Sequence, residues 1–258
     1  MAKLKALVLA GDRGPTDSVA VAAGVSTKAF AEIAGRPMID HVIEALRGAP
    51  EIGEIAVSIA PDAPALPAGV LRLDAGPTPA TSAAEGLAAL GAPLLLTTAD
   101  HPLLTSDMVR DFIAGAAASG ADAAAAASEK SVVEQAGNPA RRTWLRFSDG
   151  WLSGCNLFLI RTDAGAGAVD FWLGIEADRK KPLKMAMKVG LVAPILYLFG
   201  RLSRKRVEAM IGRKAECRTA VVLLDHPLAA HDVDKPADLE FARSRLRPVE
   251  GEAEWISD

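Results

Sequence analysis

Short apolar runs alternate along this chain with longer stretches of mixed polarity, and the runs end at glycines or polar turns. Unbroken runs of that length read as strands buried on both faces, and the longer stretches as helices with one apolar side. The predicted strands are Lys5–Leu9, Ile55–Ile59, Val70–Leu73 and Pro93–Thr98. Ala121–Ala127 joins them, although its alanines would suit a helix equally well. Helices are predicted from about Pro37 to Leu46 and from Thr81 to Leu90, with another reaching about Ala118 behind a capping hydroxyl from Thr105 or Ser106. Residues 143–160 read as two strands around Ser148-Asp149-Gly150, an antiparallel flap over the strand ends. Helical stretches at about 165–177, 184–200 and 203–212, a strand near Arg218–Leu224 and a helix entered at Pro236 complete the pattern. The acidic tail Glu250–Asp258 is expected to fray.

Alternation of this kind predicts an α/β fold: a mostly parallel mixed sheet, helices on both faces and the small antiparallel flap. Ligands in such sheets bind beyond the carboxyl ends of the strands, which points to the loops Ala10–Lys28 and Ala99–Thr105. With 258 residues, half of them apolar, a single domain over 1–258 is expected. A net charge of −3 gives no basic footprint, so no nucleic-acid partner is expected. The two cysteines, Cys155 and Cys217, form neither a disulfide framework nor a zinc site, and suit a reducing cytoplasm. The first apolar run is too short for a signal-peptide core.

Three places carry candidate chemistry. The loop Ala10-Gly11-Asp12-Arg13-Gly14 follows the first strand, and its glycine-rich backbone lets amides converge on an anion; a tight strand-exit turn explains the glycines as well. Asp100 stands straight after an apolar run, where an acid is costly unless used; capping the turn before Pro102 is its plainer role. In His231-Asp232-Val233-Asp234, an extended backbone turns both aspartates the same way, while capping the helix at Pro236 is the alternative.

In this order, LVLAGDRG, STKAFAEIAGRPMIDHVIEAL, LLLTTADHPLLT and HDVDKPADLEFA resemble the nucleotidyltransferases related to molybdenum-cofactor guanylyltransferase. That Rossmann-like superfamily also holds the sugar-phosphate and methylerythritol-phosphate nucleotidyltransferases. The resemblance implies an Mg²⁺-dependent transfer of NMP from an NTP, CTP or GTP, to a small phosphorylated acceptor, with release of pyrophosphate. It also implies roles. Ala10, Gly11, Arg13 and Gly14 would cradle the triphosphate, with Lys28 adding positive charge at the reacting phosphorus. Asp100 and Asp234 would hold the metal, Asp232 standing in reserve. Thr81 and Ser82 lie where the family meets base and ribose, and either contact these or cap their helix. Gly154 and Asn156, just past the flap, are candidates for lining the acceptor site, with a strand-edge glycine and a turn asparagine as the plainer account.

Two features depart from the family. Asp12 replaces a glycine, and TDSVAVAAGVST lengthens the stretch between Gly11 and Lys28. Two other functions stay open. Glycosyl transfer from a nucleotide sugar lacks its D-x-D motif here, where the sequence reads Asp100-His101-Pro102. A nucleotide-binding regulator without turnover is the non-enzymatic reading.

Residues 179–214 are absorbed by none of this. Arg179, Lys180, Lys181, Lys184, Lys188, Arg201, Arg204, Lys205, Arg206, Arg213 and Lys214 lie there, and Glu208 is the one acid. Between them Met185, Val189, Val192, Leu196 and Phe199 form one apolar face at helical spacing, and Leu191, Ile195 and Leu198 extend it. The stretch is expected to be a helical insertion that packs in the core, forms a homodimer contact or rests on an anionic membrane surface.

Overall fold

The computed structural model describes residues 3–11, 16–138, 144–177 and 192–246. Arg13, Gly14, the first part of the basic stretch 179–214 and the acidic tail lie outside them.

Strands β1 (Leu4–Leu9), β2 (Glu32–Ile33), β3 (Arg36–Pro37), β4 (Ile52–Ile59), β5 (Leu71–Asp74), β6 (Leu94–Thr98), β7 (Ala123–Glu129), β8 (Leu145–Phe147), β9 (Gly150–Ile160) and β10 (Thr219–Leu223) are interleaved with helices. The helices are α1 (Ser18–Ala23), α2 (Met38–Arg47), α3 (Pro79–Leu90), α4 (Ser106–Ser119), α5 (Lys130–Val133), α6 (Ala166–Ala177), α7 (Val192–Leu198), α8 (Arg204–Ala215) and α9 (Pro236–Arg245). The main sheet runs β10-β7-β9-β6-β1-β4-β5, with β8 paired to β9. Around β1 the chain first builds outward through β4 and β5, then returns to lay β6 on the other side. That reversal opens a crevice beyond the carboxyl ends of β1 and β6, a topological switch point.

Side-chain alternation assigns the two faces. Ala6 and Val8 of β1 join Val57, Leu95 and Leu157 under α2 and α4. Leu7 and Leu9 point the other way, with Ala56, Leu94 and Leu96 under α3 and α6. Helix α2 shows why the sequence folds so: Met38, Ile39, Val42, Ile43 and Leu46 make its buried stripe, while Asp40 opens and Arg47 closes it in keeping with the helix dipole. Thr105 caps α4, its hydroxyl accepting from the Met108 amide at 3.3 Å. Gly86 of α3 lies so close to β1 that an added Cβ would fall 2.1 Å from Leu7 Cδ2, so glycine sets how deeply that helix seats.

The structure resolves the ambiguity at β7 in favour of a strand, because β9 and β10 pair with it on either side. Alanine's intrinsic preference is a fraction of a kcal/mol to about 1 kcal/mol per residue, and two hydrogen-bonded ladders outweigh it. The expected hairpin around Ser148-Asp149-Gly150 forms between β8 and β9. Its second strand then runs on inside the main sheet, antiparallel to both β6 and β7, rather than lying over it. Leu157, Leu159 and Ile160 require this, since each is almost wholly buried.

The lengthened stretch after Gly11 is itself built. Asp17 caps α1 by accepting from the Val19 and Ala20 amides. Val19 then joins Ala31, Ile33, Met38, Leu103, Val233, Leu239 and Phe241 in a third apolar cluster beside the crevice. At the opposite end of the sheet, Asp122 ties three strands together. Arg218 donates to both of its oxygens at 3.0 Å, its backbone amide adds a further bond, and Thr162 donates at 3.0 Å. These bonds hold the Asp122 carboxyl well below the ordinary carboxylate range.

Candidate functional site

The crevice at the switch point gathers residues from five separate stretches. Backbone bonds carry the sheet past its strand ends: the Ala10 amide donates to Ser58 O at 2.8 Å and the Ala99 amide to Leu9 O at 3.0 Å. Asp100 follows at the tip of β6. Its carboxylate accepts from Lys28 Nζ at 2.6 Å through Oδ2 and from Thr98 Oγ1 at 2.6 Å through Oδ1. Thr98 was not singled out from the sequence; its place two residues before Asp100 on a strand, hence on the same side, was the available signal.

Lys28 opens a short 3-10 turn, Lys28–Phe30, behind the buried Thr27. Its ammonium also donates to Val233 O at 2.9 Å and lies 3.7 Å from Asp234 Oδ1. The Val233 amide donates to Asp100 O at 2.7 Å, locking the 231–234 stretch against the end of β6. Alternation along that stretch is as expected: His231 and Val233 turn inward, His231 stacking on Phe241, and Asp232 and Asp234 turn toward the crevice. At the start of the last helix a third carboxylate, Asp238, meets the backbone. It accepts from the Asp234 amide at 3.3 Å and the Lys235 amide at 3.0 Å, reaching back from the first turn.

Asp232 meets a different partner, Asn156, whose amide Nδ2 donates to Asp232 Oδ2 at 3.4 Å. Asn156 sits at an irregularity in the β7–β9 ladder with φ near 50°, the left-handed region that asparagine tolerates better than most residues. Such bulges re-aim a side chain, and this one turns Asn156 out of the sheet toward the crevice. Two residues earlier Gly154 is exposed, and a Cβ there would meet nothing within 4 Å. The same openness holds at Gly11, beyond β1, whose φ lies outside the glycine-only region.

Thr81 and Ser82 stand in the first turn of α3, the helix that packs across β1. Thr78 is the N-cap of α3, accepting from the Thr81 amide at 3.2 Å, with the two hydroxyls 2.9 Å apart. Ser82 is buried and accepts from the Gly76 amide at 2.9 Å. Both side chains therefore shape the turn at 76–78, and no bond among the described residues links them to Asp100.

Burial alone would raise the Asp100 carboxyl; the Lys28 charge and hydrogen bond, with the Thr98 hydroxyl, outweigh it and hold the group below its ordinary value. Asp100 therefore stays ionised in a largely dehydrated place. Among the described residues no three His, Cys, Asp or Glu side chains gather as a metal cluster. Magnesium asks less of a protein: one or two carboxylates, with substrate phosphates and water completing the shell. Asp100 and Asp234, two hard oxygen donors converging on one cation, the Lys28 ammonium, fit that requirement. An apolar cavity of about 180 Å³ between α6, α8 and the sheet shares none of these residues.

A mostly parallel sheet with a lysine and two carboxylates meeting at its switch point is an architecture for handling phosphates. Comparison with known proteins narrows the class: the model of the MobA-like NTP transferase domain matches residues 6–226, and the chain belongs to that family of nucleotidyltransferases. A solved hypothetical transferase from Thermus thermophilus is 29% identical, with TM-score 0.78, covering 92% of this chain and 100% of its own. The 2-C-methyl-D-erythritol 4-phosphate cytidylyltransferase of Thermus thermophilus is 17% identical, with TM-score 0.55, over 95% of this chain and 98% of its own. A CMP:2-keto-3-deoxy-manno-octonic acid synthetase solved with CTP is 15% identical, with TM-score 0.57 and the same coverage of 95% and 98%. These last two share the fold. No curated protein matches the chain in sequence.

Proposed function

We propose that this protein transfers NMP from an NTP to a small phosphorylated acceptor and releases pyrophosphate, in an Mg²⁺-dependent reaction in the cytoplasm. The observation that carries the reading is the convergence of Lys28, Asp100 and Asp234 at the switch point of an NTP-transferase fold. CTP is the first nucleotide to test, since two fold neighbours bear cytidylyl chemistry or CTP in their names, and GTP is the second.

In the reaction an oxygen of the acceptor phosphate forms a bond to the α-phosphorus. The bond from that phosphorus to the bridging oxygen breaks, and pyrophosphate leaves with the electron pair. The acceptor is already ionised near neutral pH, so positioning and charge stabilisation are the work required. Lys28, pinned by Asp100 and Val233 O, presents a fixed positive charge to the anionic oxygens as charge redistributes. Asp100 and Asp234 would hold the magnesium ion, with Asp232 in reserve, and the ion when bound neutralises phosphate charge as a Lewis acid. Ala10 and Gly11 offer backbone to the triphosphate, and the absent Cβ at Gly11 leaves it room. Arg13 and Gly14 complete that cradle in this reading. Thr81 and Ser82 serve the nucleotide by fixing the turn at 76–78. Asn156 is oriented by Asp232 toward the acceptor, with Gly154 open beside it. The chain acts as one domain in which 179–214 is an insertion.

The test is a pyrophosphate-release screen with Mg²⁺, the four NTPs and a panel of phosphorylated sugars, polyols and cofactor precursors. One pairing should turn over, and Asp100→Ala should abolish it. Silence throughout, together with no Mg²⁺-dependent NTP binding, would overturn the enzymatic reading in favour of a binding protein.

A further inference from the structure

The segment that the nucleotide chemistry leaves unused is the exposed apolar helix α7 and the basic helix α8 that follows it. Buried apolar and exposed polar is the rule for a soluble domain, and here it is inverted. Ile195 is 57% exposed, Leu198 81% and Phe199 72%. Three large apolar side chains within five residues form a patch, whereas singly scattered ones need no explanation. Exposed cations follow at once: Arg201, Lys205, Arg206, Arg213 and Lys214. Glu208 faces inward by comparison, accepting from the Val221 amide at 2.9 Å.

The patch is fixed in place. The Arg146 amide donates to Tyr197 Oη at 3.4 Å, the Ser148 amide to Leu202 O at 2.9 Å, and the Arg204 amide to Asp149 Oδ1 at 3.0 Å. All three acceptors or donors on the other side belong to the β8–β9 hairpin. That hairpin carries further exposed apolar surface, Leu145 at 48% and Trp151 at 44%, with Arg146 and Lys130 over the Trp151 ring at 5.8 and 5.3 Å. Because β9 runs antiparallel, its first residues stand at the same end of the sheet as Asp100.

We infer that this surface, Ile195 to Arg206 with the β8–β9 hairpin, seats the protein on an anionic lipid bilayer. Aromatic and aliphatic side chains beside a cluster of Lys and Arg are the chemistry that an acidic membrane surface recognises, the apolar groups entering the headgroup boundary and the cations meeting the phosphates. Among the described residues no helix is long and apolar enough to cross a membrane, so the contact is one of lying on the surface. A second copy of the chain suits the patch less well. A two-fold interface centred on the patch would bring two copies of the same cationic cluster, Arg201, Lys205 and Arg206, into one contact region, like charge added to like. The chain as a whole carries a net charge of −3, so the positive field is local to this surface and directional.

The experiment uses the full chain without nucleotide, so its outcome is separate from that of the transfer reaction. Vesicles of phosphatidylcholine alone and with phosphatidylglycerol are sedimented with the protein, and its oligomeric state is measured in parallel. The protein should pellet with the acidic vesicles and stay in solution with the neutral ones. The double variant Leu198→Asp with Phe199→Asp should lower the vesicle partition by roughly tenfold or more, with an unchanged circular dichroism spectrum. Lys205→Glu with Arg206→Glu, on side chains that are already solvated, should do the same. No pelleting of the parent with acidic vesicles, or pelleting of both variants to the same extent as the parent, would overturn the inference. A dimer that the Leu198 and Phe199 substitutions dissociate, with vesicle binding unaffected, would overturn it in favour of a chain–chain interface.

Discussion

Two carboxylates, Asp100 and Asp122, stand at opposite ends of the same sheet, and each is held ionised by a neighbouring cation. Their partners differ. Asp122 is gripped by Arg218 through a two-pronged fork and by the Thr162 hydroxyl, bonds that tie the ends of β7, β9 and β10 together. Asp100 meets Lys28, a point charge that it shares with Val233 O and with the second carboxylate of Asp234. A planar fork saturates both carboxylate oxygens and leaves little for a ligand, whereas an ammonium between two acids can turn to a phosphate. A depressed carboxylate is thus no mark of function by itself. Its end of the sheet, and whether its cation is shared or saturated, tell the two apart.

The largest effect that would break this comparison lies at the Asp100 end. Asp100→Asn and Lys28→Met should each lower the rate of pyrophosphate release by about 10²- to 10³-fold or more, as removal of a fixed charge from a reacting centre does. The double variant should be little worse than the poorer single one, because the two groups act as a unit. Independent, multiplying losses in single-turnover kinetics would count against a shared role.

Smaller is the effect expected at Asn156. Asn156→Gly keeps the left-handed backbone but loses the amide bond to Asp232, and should raise the KM for the acceptor by about tenfold while that for the NTP holds. A change confined to the NTP would move Asn156 to the nucleotide side. Smaller still is the effect of Asp122→Asn on turnover: Tm should fall in a thermal melt, and kcat/KM should stay within about twofold of the parent.

Acid titration sharpens the same contrast. Both folded-state values lie below the ordinary carboxylate value of 3.8, so each group's stabilising contribution is present above that value and is lost as pH falls through the folded one. Lys28→Met removes what holds Asp100 down while its burial remains, so its pKa rises. That variant should start less stable than the parent and lose less on acidification, so the Tm gap between them should narrow as pH falls toward and below 3.8, whereas Arg218→Met should remove the acid-sensitive part that Asp122 contributes. Identical acid profiles for parent and Lys28→Met would show that the Lys28–Asp100 pair has no net influence on Asp100.

Much of the molecule was written in its periodicity. The apolar runs at Lys5–Leu9 and Pro93–Thr98 read as buried strands and the stretch from Pro37 to Leu46 as a helix with a core face, and β1, β6 and α2 stand there. Asp100 was legible because an acid at the end of a buried run has few inexpensive uses. Lys28 and the two aspartates of 231–234 came from motif order, and alternation correctly gave both aspartates one side. Tertiary structure decided what periodicity cannot express. Apolar pattern says that a strand has buried faces but not which strand lies beside it, since the backbone ladder is the same for every sequence; hence β9 lies between β6 and β7 and not wholly in a flap. The sequence between Gly11 and Lys28 showed an insertion, and only packing of Val19 against Leu239 and Phe241 made it part of a core. Asp238 meets the start of the last helix because the first-turn geometry brings its carboxylate back to the Asp234 and Lys235 amides. Local chemistry selects among candidate roles, and contacts between residues far apart in the chain settle which role each side chain is left to fill.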